Sequence, residues 1–122
     1  MKKSKTIYPL ILATLLFFMM ILQIDLREAY AHPPQDVQIA YDINAQTLTV
    51  TITHKSGFGF HYINSVIVKK NGIVVSTNKY DKQPDPSTFS YTYQLAAGKG
   101  DSIEATVICN ISGTKTATLD VK

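Results

Sequence analysis

The 122-residue chain has no tryptophan, one cysteine and three histidines, and only 17% of its residues are charged. Each scarcity excludes something. The lone cysteine, Cys109, cannot form a disulfide within the chain, so its thiol is a buried small hydrophobe, a link to another chain or a metal ligand. No nucleophile triad, no paired acidic residues and no phosphate-binding loop can be picked out, so a hydrolase reading has no support. After Pro34 there is no helical periodicity, no repeat and no low-complexity segment. One small domain is expected there.

The residues before Pro34 read as an address. Met1 to Thr6 is basic, Ile7 to Ile24 is almost wholly apolar, Asp25 to Glu28 is polar, and Ala29-Tyr30-Ala31 fits a small-x-small cleavage site. This is the pattern of a secretory signal peptide over residues 1–31, which implies export to a periplasmic or extracellular location. The apolar run approaches the length of a membrane span, so an uncleaved N-terminal anchor is the competing expectation. The membrane would then be touched only through this segment. No cysteine follows the run, which excludes a lipoprotein anchor, and the absence of a twin arginine points to general export.

Cleavage after Ala31 would leave residues 32–122, long enough to bury a core without staples. The net charge of +3 belongs mostly to the leader. Of the 12 cationic and 9 acidic residues, Lys2, Lys3, Lys5, Arg27, Asp25 and Glu28 lie in it, leaving 8 against 7. So balanced a domain gives no reason to expect a nucleic-acid partner.

Short alternating segments fill the remainder. In Thr47 to Thr53, Leu48, Val50 and Ile52 share one face and four threonines the other, the period-2 signature of a half-buried strand. Val37 to Tyr41, Tyr62 to Lys70, Ile73 to Tyr80, Phe89 to Leu95, Ile103 to Cys109 and Ala117 to Val121 complete the set. Asn71-Gly72 is a strong hairpin signal because both turn positions need positive φ. About seven evenly spaced strands predict an all-β, immunoglobulin-like sandwich, preceded by the N-terminal signal helix.

If each strand reverses the one before it, one pole of the sandwich collects every histidine and the cysteine. The second strand ends there at His54, the third begins there just after His61, the sixth ends there at Cys109, and His32 precedes the first strand. Taken singly, Cys109 continues an inward-facing phase and His54 caps a core strand, which are ordinary structural placements. Together, His32, His54, His61 and Cys109 are the candidate metal ligands, because imidazole and thiolate bind transition metals best at neutral pH. Phe58 and Phe60 are expected in the core or as a lid. Gln83-Pro84-Asp85-Pro86 reads as a rigid turn without chemistry, and Asn110-Ile111-Ser112 matches the short glycosylation pattern.

His54 with His61-Tyr62-Ile63, then Asn71-Gly72, then Cys109-Asn110-x-x-Gly113, in that order and spacing, resemble the iron-binding domain of the desulfoferrodoxin and superoxide reductase family. The resemblance spans nearly all of residues 32–122 and implies the same sandwich fold. It implies a ferrous iron in a plane of histidine nitrogens with an axial cysteine thiolate, a sixth position open to superoxide, and a small redox partner. Carried onto this chain, His54 and His61 match two of the histidines, Cys109 the thiolate, and His32 the histidine before the first strand. The family has a further histidine where this chain has Ser112, and its lysine beside the first histidine has no counterpart.

Three imidazoles and a thiolate also suit zinc or copper. A mature chain starting at His32 would offer copper an α-amino group and an imidazole together. A third expectation needs no metal: small exported sandwiches also serve as binding modules, and fold alone does not rank these roles.

Overall fold

The computed structural model describes residues 7–21, 33–57 and 59–122. The chain divides into two units, residues 1–30 and 31–122. In the first, α1 (Ile7–Ile21) is a helix of almost unbroken apolar residues, and its described side chains are exposed. No helix among the described residues is long and apolar enough to cross a membrane. The expected cleavage site, Ala29 to Ala31, lies outside the described residues.

The second unit is the expected seven-stranded sandwich: β1 (Asp36–Asp42), β2 (Thr47–Thr53), β3 (Ile63–Lys70), β4 (Ile73–Lys79), β5 (Thr88–Gln94), β6 (Ser102–Cys109) and β7 (Thr114–Asp120). A three-stranded sheet in the order β1-β2-β5 faces a four-stranded sheet in the order β4-β3-β6-β7, and all pairings are antiparallel. Alternation sets the faces. Leu48, Val50 and Ile52 of β2 are fully buried, as are Ile103, Ala105 and Val107 of β6, while their neighbours face outward. Each large aliphatic side chain so buried contributes roughly 1.5–3 kcal/mol.

β7 begins three residues earlier than its apolar pattern suggests. Thr114, Lys115 and Thr116 pair with β6, but their side chains are exposed on an edge strand, so no buried residue marks the start. The Asn71-Gly72 turn has φ of 52° and 80° at its two residues, as the hairpin requires. Its asparagine also ties down the neighbouring loop: Asn71 Nδ2 donates to Asp101 Oδ1, and Asn71 Oδ1 accepts the Ser102 amide, both at 2.9 Å.

Two features prepare the opposite pole. The register of β3 against β6 pairs Ile63 with Cys109 and Ser65 with Ile108, leaving Asn64 as an extra residue. Such a bulge bends the strand and re-aims its end. At the end of β6, the turn Cys109 to Gly113 closes with the Cys109 amide donating to the Gly113 carbonyl at 3.1 Å. Gly113 has φ +90°, and a Cβ there would sit 2.4 Å from Pro33 Cβ. Only glycine permits that backbone shape and approach.

Candidate metal centre

The link between β2 and β3 crosses from one sheet to the other and carries two of the candidate ligands. His54 follows the last residue of β2, keeps the inward phase of that strand and is 1% exposed. Its amide donates to Ser87 O at 2.8 Å, and the Ser56 amide donates to Pro86 O at 3.1 Å. The chain beyond β2 is thereby held against the loop before β5. His61 is half-buried, two residues before β3. Cys109 ends β6, inward-facing and 4% exposed.

These three side chains meet. One ligand atom from each of His54, His61 and Cys109 lies within 4.8 Å of the others. Cys109 Sγ is 3.6 Å from His61 Nδ1, and the two imidazoles stand edge to face with ring centroids 4.7 Å apart. Sulfur and nitrogen bound tetrahedrally to one ion, at about 2.3 and 2.05 Å, would be about 3.5 Å apart. The donor types suit a single transition-metal ion, and the separation of Cys109 Sγ from His61 Nδ1 matches that of two ligands on one ion. His32 lies outside the described residues. Pro33, its neighbour in sequence, packs on Gly113 of the turn that follows Cys109.

Two amide side chains brace the pole, a role the sequence reading gave to neither. Gln83, expected to be inert in a rigid turn, bonds to three segments. Its Oε1 lies 2.9 Å from His54 Nδ1 and accepts the Ile63 amide at 3.2 Å. Its Nε2 donates to the carbonyls of His54 and Asp85, both at 2.8 Å. Asn110, beside the cysteine, accepts the Tyr62 amide on Oδ1 at 2.8 Å and donates Nδ2 to Phe60 O at 3.3 Å. Its own amide donates to Tyr62 O at 2.9 Å. Asn110 thus ties the His61 segment to the end of β6. Its side-chain nitrogen is committed to this tether, so the glycosylation match is better read as structure. A polar amide in a loop that topology returns to the histidine pole was the available signal for Gln83. Direct adjacency to Cys109 was the signal for Asn110.

Phe60 departs from expectation. It is 81% exposed, neither core nor lid, because the turn from Ser56 to Gly59, closed by a 3.2 Å amide-to-carbonyl bond, turns it outward. Phe58 lies outside the described residues. Ile111, 56% exposed, and Ser112, also exposed, lie in the Cys109–Gly113 turn.

No protein-family model matches the sequence, and no curated protein matches it. Solved structures do. A single-site variant of the superoxide reductase (neelaredoxin) from Ignicoccus hospitalis aligns over 78% of this chain and 82% of its own, with 16% identity and a TM-score of 0.49. A hypothetical protein, PH1083, from Pyrococcus horikoshii OT3 aligns over 75% and 88%, with 17% identity and a TM-score of 0.43. The fibronectin(III)-like modules of Clostridium thermocellum CbhA align over 71% and 97%, with 18% identity and a TM-score of 0.37. At these identities and scores none bears on the chemistry of the site, which rests on its own side chains.

Proposed function

We propose that residues 32–122 form an exported domain that binds one transition-metal ion through His54, His61 and Cys109, with His32 as a fourth ligand. The observation that carries this reading is the meeting of the chain's cysteine with two of its three histidines, Sγ and Nδ1 being 3.6 Å apart. The sequence resemblance to superoxide reductase makes iron the favoured metal and superoxide reduction the favoured reaction, with electrons supplied by a small redox partner. An iron held here would supply the one-electron couple which that reaction needs.

The chain's own residues have separable tasks. His54 and His61 bring imidazole nitrogens from opposite sheets. Cys109 brings a thiolate from a buried strand end, where water has little access. Gln83 and Asn110 hold the ligand-bearing segments, as outer partners of metal sites do. Ser112, matched to a further histidine of that family, offers a hydroxyl in place of an imidazole, so an iron held here would have one imidazole fewer than the resemblance implies.

A second reading follows from the same donors. Two histidines and a cysteine are the set that copper electron-transfer sites use, and it needs no further nitrogen. Zinc is the third candidate.

The test is to express the domain, measure bound metal, and compare it with Cys109→Ser. A stoichiometric ion in the parent, lost in the variant, supports the reading; equal metal in both defeats it. Visible absorption of the oxidised iron- and copper-loaded forms separates the two redox readings, since a thiolate charge-transfer band reports Cys109 directly. N-terminal mass analysis of exported protein decides cleavage after Ala31.

A further inference from the structure

The orientation of the Gln83 amide is set by groups whose roles are fixed. The Ile63 amide can only donate, and it meets Oε1 at 3.2 Å. The carbonyls of His54 and Asp85 can only accept, and each lies 2.8 Å from Nε2. Reversing the amide would set its NH2 against the Ile63 N–H and its carbonyl oxygen against two others. Three backbone contacts thus specify which end is oxygen, a choice otherwise left to inference. The fourth contact, Oε1 to His54 Nδ1 at 2.9 Å, is then a hydrogen bond only if Nδ1 carries the proton.

We infer that Gln83 is a positioning residue that holds His54 in the tautomer protonated on Nδ1, leaving Nε2 as the atom that binds metal. The ligand half of this inference rests on the metal-site reading above; the tautomer half does not. Free histidine in water prefers its neutral proton on Nε2, the opposite arrangement. Without a fixed acceptor at Nδ1, the ring would have to exchange tautomers before ligating through Nε2. Gln83 removes that step, and because His54 is 1% exposed water is a poor substitute. The same side chain joins the residue that ends the β2 side of the site to the residue that starts β3, so it sets ring orientation and strand spacing together. An uncharged acceptor also distinguishes this site from those where a carboxylate faces the ligand histidine.

The experiment uses metal-free protein with nitrogen-15-labelled histidine, at a pH above about 8, where an ordinary imidazole is neutral. In the parent, His54 should show a protonated Nδ1 and a lone-pair Nε2. Gln83→Met keeps the length but removes the amide oxygen, and His54 should shift toward the Nε2-protonated form. Gln83→Glu keeps an acceptor for Nδ1 and the Ile63 amide while losing both donated bonds; it should retain the parent tautomer and unfold more readily. Cobalt titration, followed by its visible bands, should show about 10- to 100-fold weaker binding in Gln83→Met. A parent His54 protonated on Nε2, or a tautomer unchanged in Gln83→Met, overturns the inference. Equal cobalt affinity in parent and Gln83→Met overturns its ligand half. A parent that takes up no cobalt also overturns that half, together with the proposed function, while the tautomer is decided by the nitrogen shifts alone.

Discussion

Cys109 Sγ lies 3.6 Å from His61 Nδ1, although 48 positions separate them in the chain. Two backbone constraints enforce the meeting. Ile63 pairs with Cys109 across β3 and β6, and Asn110 clips the backbone at Tyr62 from both sides. The contact is therefore built into the sheet.

The two histidines should respond differently to removal. His61 is half-buried at the rim, so His61→Ala should abolish stoichiometric metal with little loss of stability in the metal-free domain. His54 is buried and bonded to Gln83, so His54→Ala should lose metal and also about 2–4 kcal/mol, from the cavity and the lost hydrogen bond to Gln83. Metal analysis with urea denaturation of the metal-free forms separates these effects. Equal stability in the two variants would contradict the burial argument.

Gly113→Ala should destabilise the domain by about 1–3 kcal/mol. The new Cβ meets Pro33 at 2.4 Å in a backbone with φ +90°, and strain of that kind is worth that order of energy. If His32 is a ligand, metal affinity should fall in parallel, since the segment leading to it is displaced. Urea midpoints and a metal titration measure the two consequences independently.

Asn110→Ala should leave the Tyr62 amide without its 2.8 Å acceptor, at a cost of about 1–3 kcal/mol. Hydrogen exchange at Tyr62 should accelerate selectively, while exchange in β1 and β2 stays unchanged. A uniform acceleration would mean that Asn110 supports the whole fold and not the His61 segment.

Stability should fall above about pH 10. Burial, followed by the charge of neighbouring Tyr80, pushes the Tyr91 hydroxyl from 10.0 up to about 12. Burial and the 2.7 Å hydroxyl contact with Tyr80 push Tyr93 higher still. A raised folded value favours the folded state fully below the unfolded value of about 10, and the contribution is lost as pH rises from there through the folded value. Thermal midpoints between about pH 8 and 12 should show this decline, and Tyr93→Phe should flatten it.

The alternation of Leu48, Val50 and Ile52, the Asn71-Gly72 turn, and the inward phase ending at Cys109 were legible because each is local. So was the common pole of His54, His61 and Cys109, since strand reversal needs only the order of strands. Phe60 was misread because aromatic character alone says nothing about a turn that directs it to solvent. The bracing roles of Gln83 and Asn110 were not legible because an amide has no chemistry until its partners are known.

Side-chain alternation and turn composition, properties of neighbouring residues, already specify a seven-stranded sandwich with its soft ligands at one end. Whether those ligands touch depends on the Asn64 bulge, the pairing of Ile63 with Cys109, and the bonds from Gln83 to His54 and Ile63. Those contacts join residues far apart in the chain. They arise only when two sheets close over a common core, and no window of the sequence contains both partners.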